Sequence, residues 1–197
     1  MVQRVLCLVP EPVIDRSRVT NRHPLVHLRC HYGVAVLSTL LAQVSWLPVA
    51  VLLLAVLTGP FVAAAIVPRP RLLRALFIAS LVVLAGLTLY PEGGVDRDVT
   101  CTVGLPYFGL RAVETLANVL LFIPPVLLAG LLVRRPVLAV MGGTATSALI
   151  ELVQAIVPAI GRACDTGDWI TNTIGAVVGG LIALAALSLD RRVTAAP

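Results

Sequence analysis

The chain has 197 residues, of which 58% are hydrophobic and 13% are charged, and its formal net charge is +5. Soluble domains carry about a quarter charged residues because their surfaces face water, so this composition excludes an ordinary soluble enzyme, a coiled coil and a disordered protein. The arginines lie at the ends of apolar runs and not on one polar face, which excludes a nucleic-acid-binding protein. The four cysteines are too few for a disulfide-stapled secreted module.

Residues 1–32 differ from the rest of the chain. They contain five arginines, two acidic residues and all three histidines, and they lack apolar periodicity. This composition is typical of a polar, disordered tail.

Long apolar runs follow this tail. Because about 20 helical residues cross a bilayer, they predict an all-α, polytopic helical membrane protein with about five transmembrane helices and no β-sheet. The predicted crossings are 45–67, 72–90, 115–133, 137–157 and 170–189. We divide the chain into the tail at 1–32, a first membrane segment with its linker at 33–76, a helical membrane domain at 77–189 and a C-terminal tail at 190–197.

Small residues recur within the last two predicted helices, where they are expected to let helix backbones approach closely. In the fifth helix they are Gly175, Gly179 and Gly180, and in the fourth they are Gly142, Gly143, Ala145 and Ala148.

The distribution of arginine predicts the orientation in a plasma membrane. Linkers 68–74 and 134–136 and the C-terminus together carry seven arginines and one aspartate, a sum of +6, whereas loops 91–114 and 158–169 carry six acids and three arginines, a sum of −3. The first set is therefore expected in the cytoplasm and the two acidic loops outside.

The N-terminal tail conflicts with this orientation, because five crossings place it outside although its own charge is +3. Three explanations are open: export against the rule, a re-entrant hairpin within 33–67, or a translation start further along the chain. We favour the third.

Four carboxyl or amide side chains fall within the predicted crossings, where such groups are costly and functional by default. They are Asn118, Glu151, Gln154 and Asn172. Glu151 and Gln154 are three residues apart and share a helix face. The carboxyl group of Glu151 is expected to be protonated, paired or hydrated, with Arg162 as the nearest candidate cation.

The loop before the fifth helix admits two interpretations. Without a ligand, Asp168 is the N-cap of that helix and Arg162 pairs with Asp165. Alternatively, Asp165, Asp168 and Asn172 gather beside Glu151 and opposite Asn118 to bind a headgroup or a peptide. Cation binding through these few acids has weaker support.

Three separated motifs resemble the VanZ-like family over residues 77–187. They are Asn118-Val-Leu-Leu-Phe122-Ile-Pro124, then Ile150-Glu151-Leu-Val-Gln154, then Gly161-Arg162, Asp165, Asp168, Asn172 and Gly175 in order. The chain departs from the family pattern at Pro125, where a Gly usually follows one residue later, and at Cys164. Two consecutive prolines are expected to kink the third helix.

The resemblance implies a membrane fold of the cell envelope, a candidate site and a link to resistance against the glycopeptide teicoplanin, with which the family's namesake is associated. The implied binding residues are Asn118, Glu151, Gln154, Arg162, Asp165, Asp168 and Asn172. The implied structural residues are Phe122, Pro124 and Gly175.

Cys101 and Cys164 both fall in loops predicted to lie outside, in an oxidising compartment, so they are candidates for a disulfide. The sequence contains no metal-binding or cofactor-binding motif, and neither a metal nor a cofactor is expected.

Three functions are open. The favoured one is a non-enzymatic membrane protein whose outer-face polar pocket binds a lipid-linked cell-wall precursor, a headgroup or a lipoglycopeptide. The second is an enzyme that modifies a lipid-linked substrate with Glu151 or Asp165 as base, although no histidine follows His31 for a nucleophilic pair. The third is a small proton-coupled transporter using Glu151. The expected partners are the bilayer and one such ligand; the sequence does not indicate an oligomeric state.

Overall fold

Apolar helices dominate the computed structural model, which describes residues 46–91, 101–104, 113–157, 160 and 164–194. The predicted tail at 1–32 and Arg162 lie outside the described residues. The helices are α1 (Leu47–Ile66), α2 (Pro70–Leu89), α3 (Val113–Val133), α4 (Pro136–Ile156) and α5 (Thr166–Thr194), and two short strands are β1 (Cys101–Thr102) and β2 (Cys164–Asp165).

Five described helices are long and apolar enough to cross a membrane, which confirms the predicted helical membrane fold and its five crossings. The first four begin and end within two residues of the predicted spans. The fifth is longer at both ends, with 29 residues, because hydropathy marks only the apolar part of a helix whose polar ends continue beyond it.

The prediction of no β-sheet is confirmed for the described residues, which contain only two short paired strands. Cys101 pairs with Cys164 and Thr102 with Asp165 in a parallel arrangement. Two residues in each strand do not make a sheet, and their role is to attach the α2–α3 connection to the start of α5.

Helix α5 lies at the centre and packs against α1, α3 and α4. Glycine makes this possible: a methyl group added at Gly175 would collide with the carbonyl oxygen of Val119, and one at Gly179 would lie 2.6 Å from that of Ile123. The main chains of α3 and α5 therefore touch, as the small residues predicted. Gly180 meets the side chain of Val140 on α4.

The small residues of α4 are only partly used in this way. Gly143 packs against Val126 and Ala176, but a methyl group at Gly142 would meet no atom of the described residues within 4 Å, and Ala145 and Ala148 are exposed. The prediction that these three approach another helix was wrong. The buried positions of α4 follow a different helical face, that of Ala139, Ser147, Ile150 and Gln154.

The arginine-rich linkers meet at one end of the bundle, here called the arginine end (67–69, 134–135 and 190–192). A core cluster beneath it joins Ala63 of α1, Leu131 of α3 and Leu187 of α5. Arg134 donates to Asp190 at 2.9 Å, which connects the α3–α4 turn to the end of α5. The antiparallel course of the helices places the candidate site at the opposite end, here called the polar end.

Candidate functional site

The polar end is formed by the beginning of α3, the last turns of α4, the two strands and the first turns of α5. Helices α3 and α4 are antiparallel. Asn118, near the start of α3, and Glu151, near the end of α4, therefore lie at the same end of the bundle. The first side chains of α5 lie between them.

Asn118 and Asp168 form a direct contact between α3 and α5. The Asn118 amide nitrogen Nδ2 donates to Asp168 Oδ1 at 2.7 Å. Asp168 lies in the first turn of α5, where a carboxylate also interacts favourably with the positive end of the helix dipole. Two residues of the predicted cluster, Asn118 and Asp168, are therefore in contact.

Asp165, not Asp168, accepts the first amide bond of α5. Its Oδ1 accepts from the main-chain nitrogen of Gly167 at 2.7 Å, which is the contact of an N-cap residue. The prediction of Asp168 as the N-cap was wrong because α5 begins at Thr166, which leaves Asp168 inside the helix and turned toward α3.

Glu151 is bound by the main chain of β2. Its Oε2 accepts from the peptide nitrogen of Asp165 at 2.9 Å. Ile156, the last residue of α4, is five positions after Glu151. Glu151 therefore lies about 7.5 Å from the end of the helix at 1.5 Å per residue. The sequence predicted that the Glu151 carboxyl group needs a partner, and the backbone N–H of Asp165 is one such partner.

Asn172 lies one helical turn beyond Asp168, where it meets Ser147 of α4. Its Nδ2 donates to Ser147 Oγ at 3.0 Å, and the two side chains are 4% and 0% exposed. The amide oxygen Oδ1 of Asn172 is buried and has no hydrogen-bond partner within the part of the chain that the structure describes. This pair forms the buried floor of the site.

Ser147 was not among the site residues predicted from the sequence. A signal was present, because Ser147 is four residues before Glu151 and therefore on the same face of α4. A single hydroxyl in an apolar helix is common, however, and only its contact with Asn172 distinguishes it. Thr171, which is 1% exposed, was also missed; its hydroxyl donates to the carbonyl of Asp168 at 3.0 Å.

Gln154 does not join the other candidates. Its Nε2 donates to the carbonyl oxygen of Thr88 at 2.9 Å, and Thr88 belongs to the last turn of α2, where carbonyls lack helical partners. Glu151 and Gln154 share a broad face of α4, as predicted, yet they contact different elements. In this structure Gln154 attaches α2 to α4.

The three residues implied as structural occupy different environments. Phe122 is 1% exposed and packs with Leu84 and Ile150, one turn below Asn118. Gly175 contacts α3 as described above. Pro124 is exposed, and α3 continues as one helix through Pro124 and Pro125.

A disulfide joins Cys101 and Cys164 beside this cluster. The Thr166 hydroxyl accepts from the nitrogen of Gly104 and donates to its carbonyl oxygen, each at 3.0 Å. The α2–α3 connection is therefore attached to both residues that flank Asp165.

The described residues of the polar end offer mainly hydrogen-bond acceptors. Three carboxyl groups (Glu151, Asp165 and Asp168) lie near the amides of Asn118 and Asn172. No group of three or more His, Cys, Asp or Glu among the described residues is arranged to hold a metal ion. Such a set of oxygen atoms is suited to hydroxyl or ammonium donors.

Comparison with known proteins places the chain in a family. No curated protein and no solved structure matches it significantly. The family model described as VanZ/LLP1 matches residues 50–187, which covers more than half of the chain. The match includes most of α1, upstream of the region that contains the motifs. Together with the five apolar helices and the three motifs in order, this match shows that the protein belongs to the VanZ/LLP1 family.

Proposed function

We propose that this protein is a non-enzymatic component of the cell envelope that binds a lipid-linked wall precursor, a lipid headgroup or a lipoglycopeptide at its polar end. Binding there lowers susceptibility to teicoplanin-type glycopeptides. Asn118, Glu151, Asp165, Asp168 and Asn172 form the site. Arg162, which lies outside the described residues, supplies a guanidinium for a phosphate or carboxylate of the ligand.

The observation that carries this proposal is the buried oxygen of Asn172. An amide oxygen without a hydrogen bond in an apolar interior costs about 1–3 kcal/mol, and such groups in native proteins have an explanation such as a bound water or ligand. Its location beneath a cluster from three helices supports a site for a molecule with hydroxyl or ammonium donors.

The proposed orientation places the polar end outside the plasma membrane and the arginine end in the cytoplasm. Two independent features support it. The described arginine end carries Arg69, Arg134, Arg135, Arg191 and Arg192 against a single acid, Asp190, and the polar end contains a disulfide, a bond that persists in oxidising compartments.

The test is a susceptibility series in a glycopeptide-sensitive bacterial host that expresses equal amounts of each variant. Wild type is expected to raise the inhibitory concentration of teicoplanin, and Glu151→Gln to abolish the increase because the neutral amide is a weaker acceptor for the Asp165 amide. Thr146→Val is the matched control, since the exposed Thr146 hydroxyl bonds within α4, to the Gly142 carbonyl.

An unchanged inhibitory concentration on expression of wild type would contradict the proposal. Envelope lipids extracted from the same strains are analysed by mass spectrometry. A change in lipid mass that requires Glu151 would identify the protein as an enzyme instead.

A further inference from the structure

Asp165 connects three parts of the polar end through its own atoms. Its peptide nitrogen donates to Glu151 Oε2 at 2.9 Å, its carboxylate accepts from Gly167 at the start of α5, and its main chain pairs with Thr102. Any displacement of this residue therefore changes the surroundings of Glu151.

Two contacts hold Asp165 from either side. Cys164 precedes it and is joined to Cys101 by the disulfide. Thr166 follows it and exchanges two hydrogen bonds with Gly104. Both contacts come from the α2–α3 connection, which is otherwise 62 residues or more away along the chain.

We propose that the disulfide-linked segment 101–104 is the positioning device for Glu151, which it holds through the peptide N–H of Asp165. Cys101, Cys164 and Thr166 are positioning residues that act on Glu151 through Asp165. This assignment goes beyond the proposed function and is independent of the ligand. The two cysteines also make the position of Glu151 sensitive to thiols.

The redox step is an ordinary thiol–disulfide exchange. One thiolate of a dithiol attacks a sulfur of the Cys101–Cys164 bond to form a mixed disulfide, and the second thiol closes the reductant into a cyclic disulfide. The protein gains two electrons and two protons as two thiols. Cys101 is exposed and Cys164 is 8% exposed, so attack at the Cys101 sulfur is the accessible route.

The experiment measures the reactivity of Glu151 toward a hydrophobic carbodiimide in the purified full-length protein, with the modified peptide quantified by mass spectrometry. Reduction with dithiothreitol is expected to raise modification of Glu151 about fivefold, the factor controlled by one ordinary hydrogen bond. Asp190, at the arginine end, is the internal reference and is expected to be unchanged. Reoxidation with oxidised glutathione should restore the low reactivity of Glu151.

Two sets of variants separate positioning from general loosening. Thr166→Val, which leaves both cysteines in place, is expected to raise Glu151 modification, whereas Thr173→Val is the control because that exposed hydroxyl bonds within α5 to the Trp169 carbonyl. The Cys7→Ser/Cys30→Ser variant should keep the full increase in Glu151 modification on addition of dithiothreitol. In the Cys101→Ser/Cys164→Ser variant, Glu151 should be highly modified both with and without dithiothreitol.

Complete reduction, verified by alkylation of Cys101 and Cys164, that leaves Glu151 modification unchanged would overturn the assignment. An equal rise at Glu151 and Asp190 would also overturn it, since it would indicate loss of the fold as a whole. The teicoplanin series can fail while this response is present, and the reverse also holds, so the two proposals fail separately.

Discussion

The Asn172–Ser147 pair is a side-chain hydrogen bond between two almost fully buried residues. Both side chains are almost fully buried, and one hydrogen bond joins α5 to α4 across an apolar interior. In such surroundings the free-energy cost of leaving a polar atom without a hydrogen bond is larger than the net free energy gained by forming one. The stability of the pair therefore depends on keeping or removing both partners together.

This asymmetry gives a prediction for thermal unfolding of the detergent-solubilised protein. Ser147→Ala is expected to destabilise it by about 1–3 kcal/mol because it leaves the Asn172 amide buried without its acceptor. Asn172→Leu/Ser147→Ala removes both polar groups and should lie within about 1 kcal/mol of wild type while losing the proposed ligand binding.

Ser188→Ala is the control for this series, because the exposed Ser188 hydroxyl bonds to the Leu184 carbonyl of its own helix. A change within about 0.5 kcal/mol is expected for it. If Ser147→Ala changed the free energy of unfolding as little as Ser188→Ala, the Asn172–Ser147 hydrogen bond would not contribute to stability, and the prediction would be wrong.

At the scale of elements, the close contact between α3 and α5 determines whether the site assembles. Gly175 is one turn beyond Thr171 and Asn172, and its neighbour across the interface, Val119, follows Asn118 directly. The distance between these two main chains therefore sets the reach of Asn118 to Asp168.

We expect Gly175→Ala to destabilise the protein by about 1–3 kcal/mol, the range for overpacking, and to abolish the proposed rise in the inhibitory concentration of teicoplanin. The added methyl group would collide with main-chain atoms of Val119, which cannot move without displacing α3. Thermal unfolding measures the first effect and the susceptibility series the second.

Gly142→Ala provides the matched control in α4, since a methyl group there meets nothing within 4 Å. It is expected to leave stability unchanged or to raise it by up to about 1 kcal/mol through helix propensity. Equal behaviour of the two alanine variants would mean that α3 can yield at Val119.

At the scale of the whole molecule, the two ends of the bundle differ in chemistry. One end concentrates arginine and the other concentrates carboxylates, amides and the disulfide. Between them, the outward faces of α1 and α2 expose large apolar side chains such as Leu57, Phe61 and Val82, which a bilayer would cover.

The proposed orientation predicts which introduced cysteines a membrane-impermeant maleimide labels on intact cells expressing a Cys7→Ser/Cys30→Ser background. Val103→Cys, at a position 85% exposed on the polar end, is expected to be labelled from outside. Arg135→Cys, in the α3–α4 turn, should be labelled only after permeabilisation. The reverse pattern would place the arginine end outside and contradict the orientation.

Composition and hydropathy were sufficient to predict the membrane fold and the five crossings, because the cost of exposing backbone and charge to lipid constrains every span of such a chain. The family was predicted from the resemblance of three motifs. The helix ends that hydropathy located best are those at sharp chemical changes, such as Arg134 and Arg135 after α3. The polar extensions of α5 were missed, since helical structure continues there without apolar side chains.

The contacts within the site required the tertiary structure. Sequence spacing placed Asn118, Glu151, Asp168 and Asn172 at one end, but it did not show that Asp165 caps α5, that Gln154 binds the α2 carbonyl or that Ser147 faces Asn172. The periodicity of a helix reports which residues share a face, whereas the rotation of each helix against its neighbours decides what that face meets. That rotation depends on packing at positions such as Gly175, whose partner across the helix interface, Val119, is far away along the chain.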